Sequence, residues 1–113
     1  MQPIYKICTD AEWRAAEARG EFTGSPVDLA DGFIHFSTAA QAEETARRHF
    51  AGQADLVLVA VDPEKLGDAL KWEPSRGGDL FPHLYGVLPT AVAEKVCALP
   101  IGKNGAHEFP KLP

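Results

Sequence analysis

His35 and Ser37 in "DGFIHFST", Glu73 closing "LKWE", Arg76 in "PSRGGD" and the His83/Tyr85 pair in "FPHLYG" are polar groups that their apolar or loop surroundings do not account for. Imidazoles, hydroxyls, a guanidinium and a carboxylate interleaved with aromatic residues suit acid–base work or the gripping of a small polar ligand. Within "FPHLYG", Pro82 fixes the backbone and Gly86 relaxes it, and between them His83 and Tyr85 alternate with Leu84. Rigid local geometry around hydrogen-bonding groups is how sites are preorganised. In "DGFIHFST" a strand's two-residue period sends Gly32, Ile34 and Phe36 one way and Phe33, His35 and Ser37 the other. One face is then committed to the core and the other to a ligand.

Each residue also has a plainer account. His35 could be solvated or bonded to a neighbouring carbonyl, and Ser37 could cap the helix that follows it. Glu73 could pair at the surface with Lys71 or Arg76, Arg76 could decorate a turn, and Tyr85 could sit in the core with its hydroxyl tied down. Only convergence in space separates the two accounts. Other chemistries find less support: there is no GxGxxG after a strand, no Walker loop and no GxSxG elbow. A metal site built from His35, His83 and a carboxylate lacks any HExxH-like spacing, so no metal is expected. Cys8 and Cys97 lie far apart in apolar runs without a CxxC pattern and read as buried reduced thiols.

The elements that must position these groups follow from local signals. "IYKICT" is a short strand, and Thr9 with Glu12 has capping-box spacing at the head of a helix that ends at Gly20. "GSPVDLADG" reads as a loop by composition. Thr38 and Gln41 repeat the box before a second helix with an Ala39, Ala42, Ala46, Phe50 stripe and a solvated charged face. "DLVLVAVD" is apolar on both faces, as in a central strand covered on two sides. "ALKWE" alternates as a half-buried strand, "PSRGGD" is a loop, "LFPHLYGVLP" is apolar but broken by Pro and Gly, "AVAEKVCALP" is a last strand, and residues 100–113 form a loose or packed-down tail. The expectation is a single α+β domain over residues 1–113, a mixed β-sheet flanked by two helices.

At 113 residues the length suits one domain able to bury a core without disulfides or metal. A net charge of −5 argues against general nucleic-acid binding, which needs a basic surface, though it leaves room for a local anion pocket. No stretch has a signal-peptide layout or the length of a membrane span, so a cytoplasmic protein without membrane attachment is expected. Oligomeric state is not encoded in any of these patterns.

"DGFIHFST", "DLVLVAVDPEKL", "LKWE" and "LFPHLYGVLP" resemble the small bacterial family called domain of unknown function 952, over about residues 4–99. That family is similar in fold to the ADP-ribosyltransferases, including RNA 2′-phosphotransferases, and the resemblance implies a transferase of either kind. The resemblance implies an NAD- or ADP-ribose-type nucleotide as substrate, with no further cofactor required. It places His35 as the ribose anchor and Tyr85 beside the nicotinamide. The carboxylate that such a site uses usually comes last in the chain, whereas Glu73 precedes Tyr85, and Glu94 and Glu108 lack a matching motif. Breaking an N-glycosidic bond builds positive charge on the sugar, which a nearby carboxylate stabilises. His35, Glu73 and His83 are thus the candidate catalytic groups. Phe33, Ser37, Arg76 and Tyr85 are the candidate ligand-binding groups, with Phe33, Phe81 and Tyr85 able to sandwich a ring and Arg76 to hold phosphate oxygens. The alternative expectation is a module that holds a small metabolite or anion without turnover.

Overall fold

The computed structural model describes residues 2–112, apart from the Arg76 side chain. In chain order the elements are β1 (Ile4–Thr9), α1 (Asp10–Arg19), β2 (Glu21–Phe22), α2 (Pro26–Asp31), β3 (Ile34–His35), β4 (Ser37–Thr38), α3 (Ala39–His49), β5 (Leu56–Val61), β6 (Leu70–Ser75), β7 (Asp79–Leu84), β8 (Leu88–Pro89) and β9 (Ala93–Leu99). Short 3₁₀ turns at Pro63–Ala69, Arg76–Gly78 and Thr90–Val92 join the later strands.

The helix starts form as their sequences require. The Thr9 hydroxyl accepts from the Glu12 amide at 3.0 Å and the Glu12 carboxylate accepts from the Thr9 amide at 2.9 Å, so two otherwise orphaned donors are satisfied. At α3 the Gln41 side chain accepts from the Thr38 amide at 3.0 Å. It also donates to the Leu80 carbonyl at 2.8 Å, which ties α3 to β7.

The strands assemble as a four-stranded sheet in the order β4-β1-β5-β9, a three-stranded sheet β3-β7-β6 and a two-stranded ladder β2-β8. The fold is α+β, but the expectation of one mixed sheet flanked by two helices is corrected. Every ladder among the described residues is antiparallel. β4 and β5 both run antiparallel to β1, which lies between them, so the crossover through α3 spans a strand instead of producing a parallel pair. A third helix, α2, replaces the expected loop at "GSPVDLADG". Pro26 occupies its first turn, where its missing N–H costs nothing, and the Ser25 amide is taken by the Asp28 carboxylate at 2.8 Å.

β5 is the central strand that its two-sided apolarity implies. Val57, Val59 and Val61 enter one core with Trp13, Phe22, Ile34, Phe36 and Leu84. Leu56 and Leu58 enter a second core with Tyr5, Ile7, Ala46 and Leu99. The tail is packed down, with Phe109 and Leu112 against the second core and the Glu108 amide donating to the Pro100 carbonyl at 2.7 Å. Both cysteines are free, and burial pushes the Cys8 thiol up to about 12, as in an inert buried thiol. Among the described residues no helix is long and apolar enough to cross a membrane.

Candidate functional site

The stretch "DGFIHFST" changes sheet midway. Ile34 and His35 pair with Leu84 and His83 of β7, the Phe36 amide donates to the Pro82 carbonyl at 3.0 Å, and Ser37 and Thr38 pair with Tyr5 and Ile4 of β1. Cross-strand partners share a face, so the register His35–His83–Lys71 fixes one face of the small sheet. The two-residue period adds Phe33, Phe81, Tyr85 and Glu73 to that face. The other face carries Ile34 and Leu84 into the first core.

On the polar face the aromatic rings cluster. The Phe33 ring stacks on His83 with centroids 4.1 Å apart, and lies 4.5 Å from the His35 ring and 5.2 Å from Tyr85. The two imidazoles meet edge to face at 5.6 Å. Glu73 Oε1 accepts from His83 Nδ1 and from the Tyr85 hydroxyl, both at 2.8 Å. An ionised carboxylate only accepts, so His83 carries its proton on Nδ1. The hydrogen bond from His83, then that from Tyr85, holds the Glu73 carboxyl below its ordinary value. The same bond to Glu73, with burial adding to it, raises the Tyr85 phenol. The result is a fixed carboxylate beside a protonated phenol that is 45% exposed.

His35 is held from below and from the rim. Its Nδ1 lies 2.6 Å from Asp28 Oδ1 and its Nε2 lies 2.9 Å from Asp31 Oδ2. The ring can donate to both carboxylates only when it carries both protons. Asp28 is buried and also meets Lys6 Nζ at 2.8 Å, with Lys6 itself 2% exposed. Burial pushes the Asp28 carboxyl up, but the His35 hydrogen bond and the Lys6 ammonium more than offset it and bring it to about 2.

The structure thus brings Phe33, His35, Glu73, His83 and Tyr85 together. Ser37 does not join them: it is 3% exposed in the other sheet, its hydroxyl 2.9 Å from that of Thr45. Nor does it cap α3, a place taken by Thr38. Arg76 follows β6 in the 3₁₀ turn, and its side chain lies outside the described residues. Glu94 and Glu108 are remote in topology, Glu94 on β9 and Glu108 in the tail. Sequence reading missed Lys6, Asp28 and Asp31. A lysine inside the apolar strand "IYKICT" was the available signal, since a buried ammonium requires a partner. Two clefts, of about 350 and 520 Å³, lie away from this face against the C-terminal segment. Among the described residues no group of His, Cys, Asp and Glu has the arrangement of a metal site.

These features define an antiparallel α+β domain with a carboxylate–imidazole–phenol face on its smaller sheet. The chain belongs to the family described as Protein of unknown function (DUF952), whose model matches residues 7–96. It is similar to Protein CC0527 from Caulobacter crescentus, whose crystal structure is 54% identical, with a TM-score of 0.91 over 94% of this chain and 93% of that one. The solution structure of the same bacterial protein gives 55% identity and a TM-score of 0.84, covering 94% of this chain and 91% of the other. No curated protein matches the chain.

Proposed function

We propose that the face formed by Phe33, His35, Glu73, His83 and Tyr85 binds a nucleotide or ADP-ribose-type ligand, NAD-like in chemistry, and transfers or hydrolyses its ribosyl group in the manner of an ADP-ribosyltransferase. The observation that carries the reading is the Glu73 carboxylate, fixed by His83 and Tyr85 beside the Phe33 ring. A carboxylate preoriented in this way opposes positive charge as it develops on a ribosyl carbon. Phe33 and Tyr85 offer ring faces to a base or nicotinamide. The Asp31 carboxylate, held by His35 Nε2, accepts from ribose hydroxyls, and phosphate oxygens are assigned to Arg76, a residue of the turn after β6. Ser37 has no part in this reading, because its hydroxyl is engaged with Thr45.

NAD or ADP-ribose at millimolar concentration is expected to raise the melting temperature of the wild type, and His35→Ala to lose that shift. Nicotinamide release from NAD is expected for the wild type and not for Glu73→Gln, which keeps the shape of the side chain. Absence of a shift with any nucleotide counts against the reading. A second reading, a module that holds such a ligand without turnover, is favoured by the exposure of Tyr85, at 45%, because catalysis gains from excluding water. A nucleotide-induced shift without nicotinamide or phosphate release would select it.

A further inference from the structure

A second constellation lies on the far side of the large sheet. Tyr5, Ala60 and Lys95 form one rung across β1, β5 and β9, and all three line the cleft of about 350 Å³ under the C-terminal segment. Tyr5 is only 3% exposed, yet its hydroxyl makes no hydrogen bond among the described residues. No enclosed side-chain nitrogen or oxygen among those residues lacks a partner, so this hydroxyl opens onto the cleft it lines. A phenol whose ring is buried while its hydroxyl reaches a cleft wall is placed to donate to a molecule held in that cleft.

The backbone supplies an independent sign. Ala60 pairs with Lys95 but Val61 pairs with Ala93, which leaves Glu94 as the extra residue of a β-bulge. Bulges re-aim side chains and gather beside sites, and this one brings Glu94 and Lys95, sequence neighbours that a regular strand would send to opposite faces, into the lining of one cleft. Glu94 also acts on Tyr5: burial first, then the Glu94 carboxylate, raises the phenol and keeps it a donor. The roof includes Lys111 and Leu112, held down by the packing of Leu112 on the second core.

We propose that this cleft binds a small zwitterion with an apolar body, of the class of the apolar α-amino acids. Its carboxylate is received by the Tyr5 hydroxyl with Lys95 and Lys111, its ammonium by Glu94, and its body by Leu58, Ala60 and Leu112. The volume sits at the lower end of what small-molecule sites span, about 300–1,000 Å³. The charges are complementary in sign: the Lys95 and Lys111 ammonium groups for a carboxylate, the Glu94 carboxylate for an ammonium.

The test is titration of the full chain with L-leucine and L-phenylalanine, followed by amide chemical shifts and melting temperature. Saturable shifts are expected at the cleft residues of β1, β5 and β9, with a rise in melting temperature. Tyr5→Phe, which removes only the hydroxyl, and Glu94→Gln, on the exposed bulge, are each expected to weaken binding at least tenfold. Phenylpropionate, which lacks the ammonium, and phenethylamine, which lacks the carboxylate, are expected to bind at least tenfold more weakly than phenylalanine. Should Tyr5→Phe fail to fold, Glu94→Gln and the two analogues decide. The proposal is overturned if neither amino acid gives saturable shifts at the cleft, if Glu94→Gln binds as the wild type does, or if phenylpropionate binds as well as phenylalanine.

Discussion

Asp28 accepts hydrogen bonds from the Lys6 ammonium, the Ser25 and His35 amides and the His35 ring, all while 1% exposed. Nothing else so buried carries so much of the candidate site, because the carboxylate orients His35 and compensates the charge of Lys6. Removing one member of a buried pair leaves the other charge uncompensated, which costs about 3–5 kcal/mol. Asp28→Asn is therefore expected to lower unfolding stability by about that amount in urea. Lys6→Met combined with Asp28→Asn should cost less than the two single changes added together, since neither charge is then stranded. The pH dependence has a definite sign. The folded carboxyl titrates at about 2, below the ordinary 3.8, so its contribution is fully present above pH 4 and is lost as the pH falls through 2. Stability measured from pH 5 to pH 2 should decline by an amount on the order of 2 kcal/mol from this group, and that part of the decline should vanish in Asp28→Asn.

The elements show how far local pattern reaches. Both capping boxes lie within one turn of chain: at Thr9 and Glu12 the two reciprocal hydrogen bonds form, and at Thr38 the Gln41 side chain accepts from the Thr38 amide. The two-sided burial of β5 follows from its own residues. The alternation in "DGFIHFST" places Phe33 and His35 on one face, but it cannot foresee that the chain passes from one sheet to the other at Phe36, which is why Ser37 faces α3 instead. α2 escaped for a different reason: its six residues are too few to display a helical period, and its one buried side chain is aimed at a lysine 22 positions earlier. Gly32 ends that helix at φ 87°, its amide on the Asp28 carbonyl at 2.8 Å, and so sets the direction in which Phe33 leaves. A Cβ there would meet no atom within 4 Å, so Gly32→Ala tests the backbone alone. It is expected to cost about 1 kcal/mol in chemical denaturation, and Gly32→Asn less, because Asn tolerates the left-handed region better.

Across the whole molecule, β1 and β5 divide two cores and join the two constellations. Lys6 turns to Asp28 and the small sheet while its neighbour Tyr5 turns to the cleft under the tail. Ile34 lies in the core shared with Trp13 and the small sheet, and Ile7 lies in the other. If the small sheet and the tail side were separate cooperative units, a cavity in one would leave the melting of the other unmoved. The strands they share argue for one unit, since neither core can lose its side of β5 without uncovering the opposite side. Ile7→Val and Ile34→Val should each cost about 0.5–1.5 kcal/mol. Trp13 is wholly buried in the first core and Trp72 is 44% exposed, so the blue-shifted component of the emission is expected to report that core. Its transition in urea is expected to move for Ile7→Val, across the sheet, as far as the far-ultraviolet circular dichroism moves. The double variant should lose the sum of the single costs to within about 0.5 kcal/mol, because the two side chains pack in different cores. Emission that stays at the wild-type midpoint in Ile7→Val, while the dichroism shifts, would mean that the two sides of the sheet unfold independently.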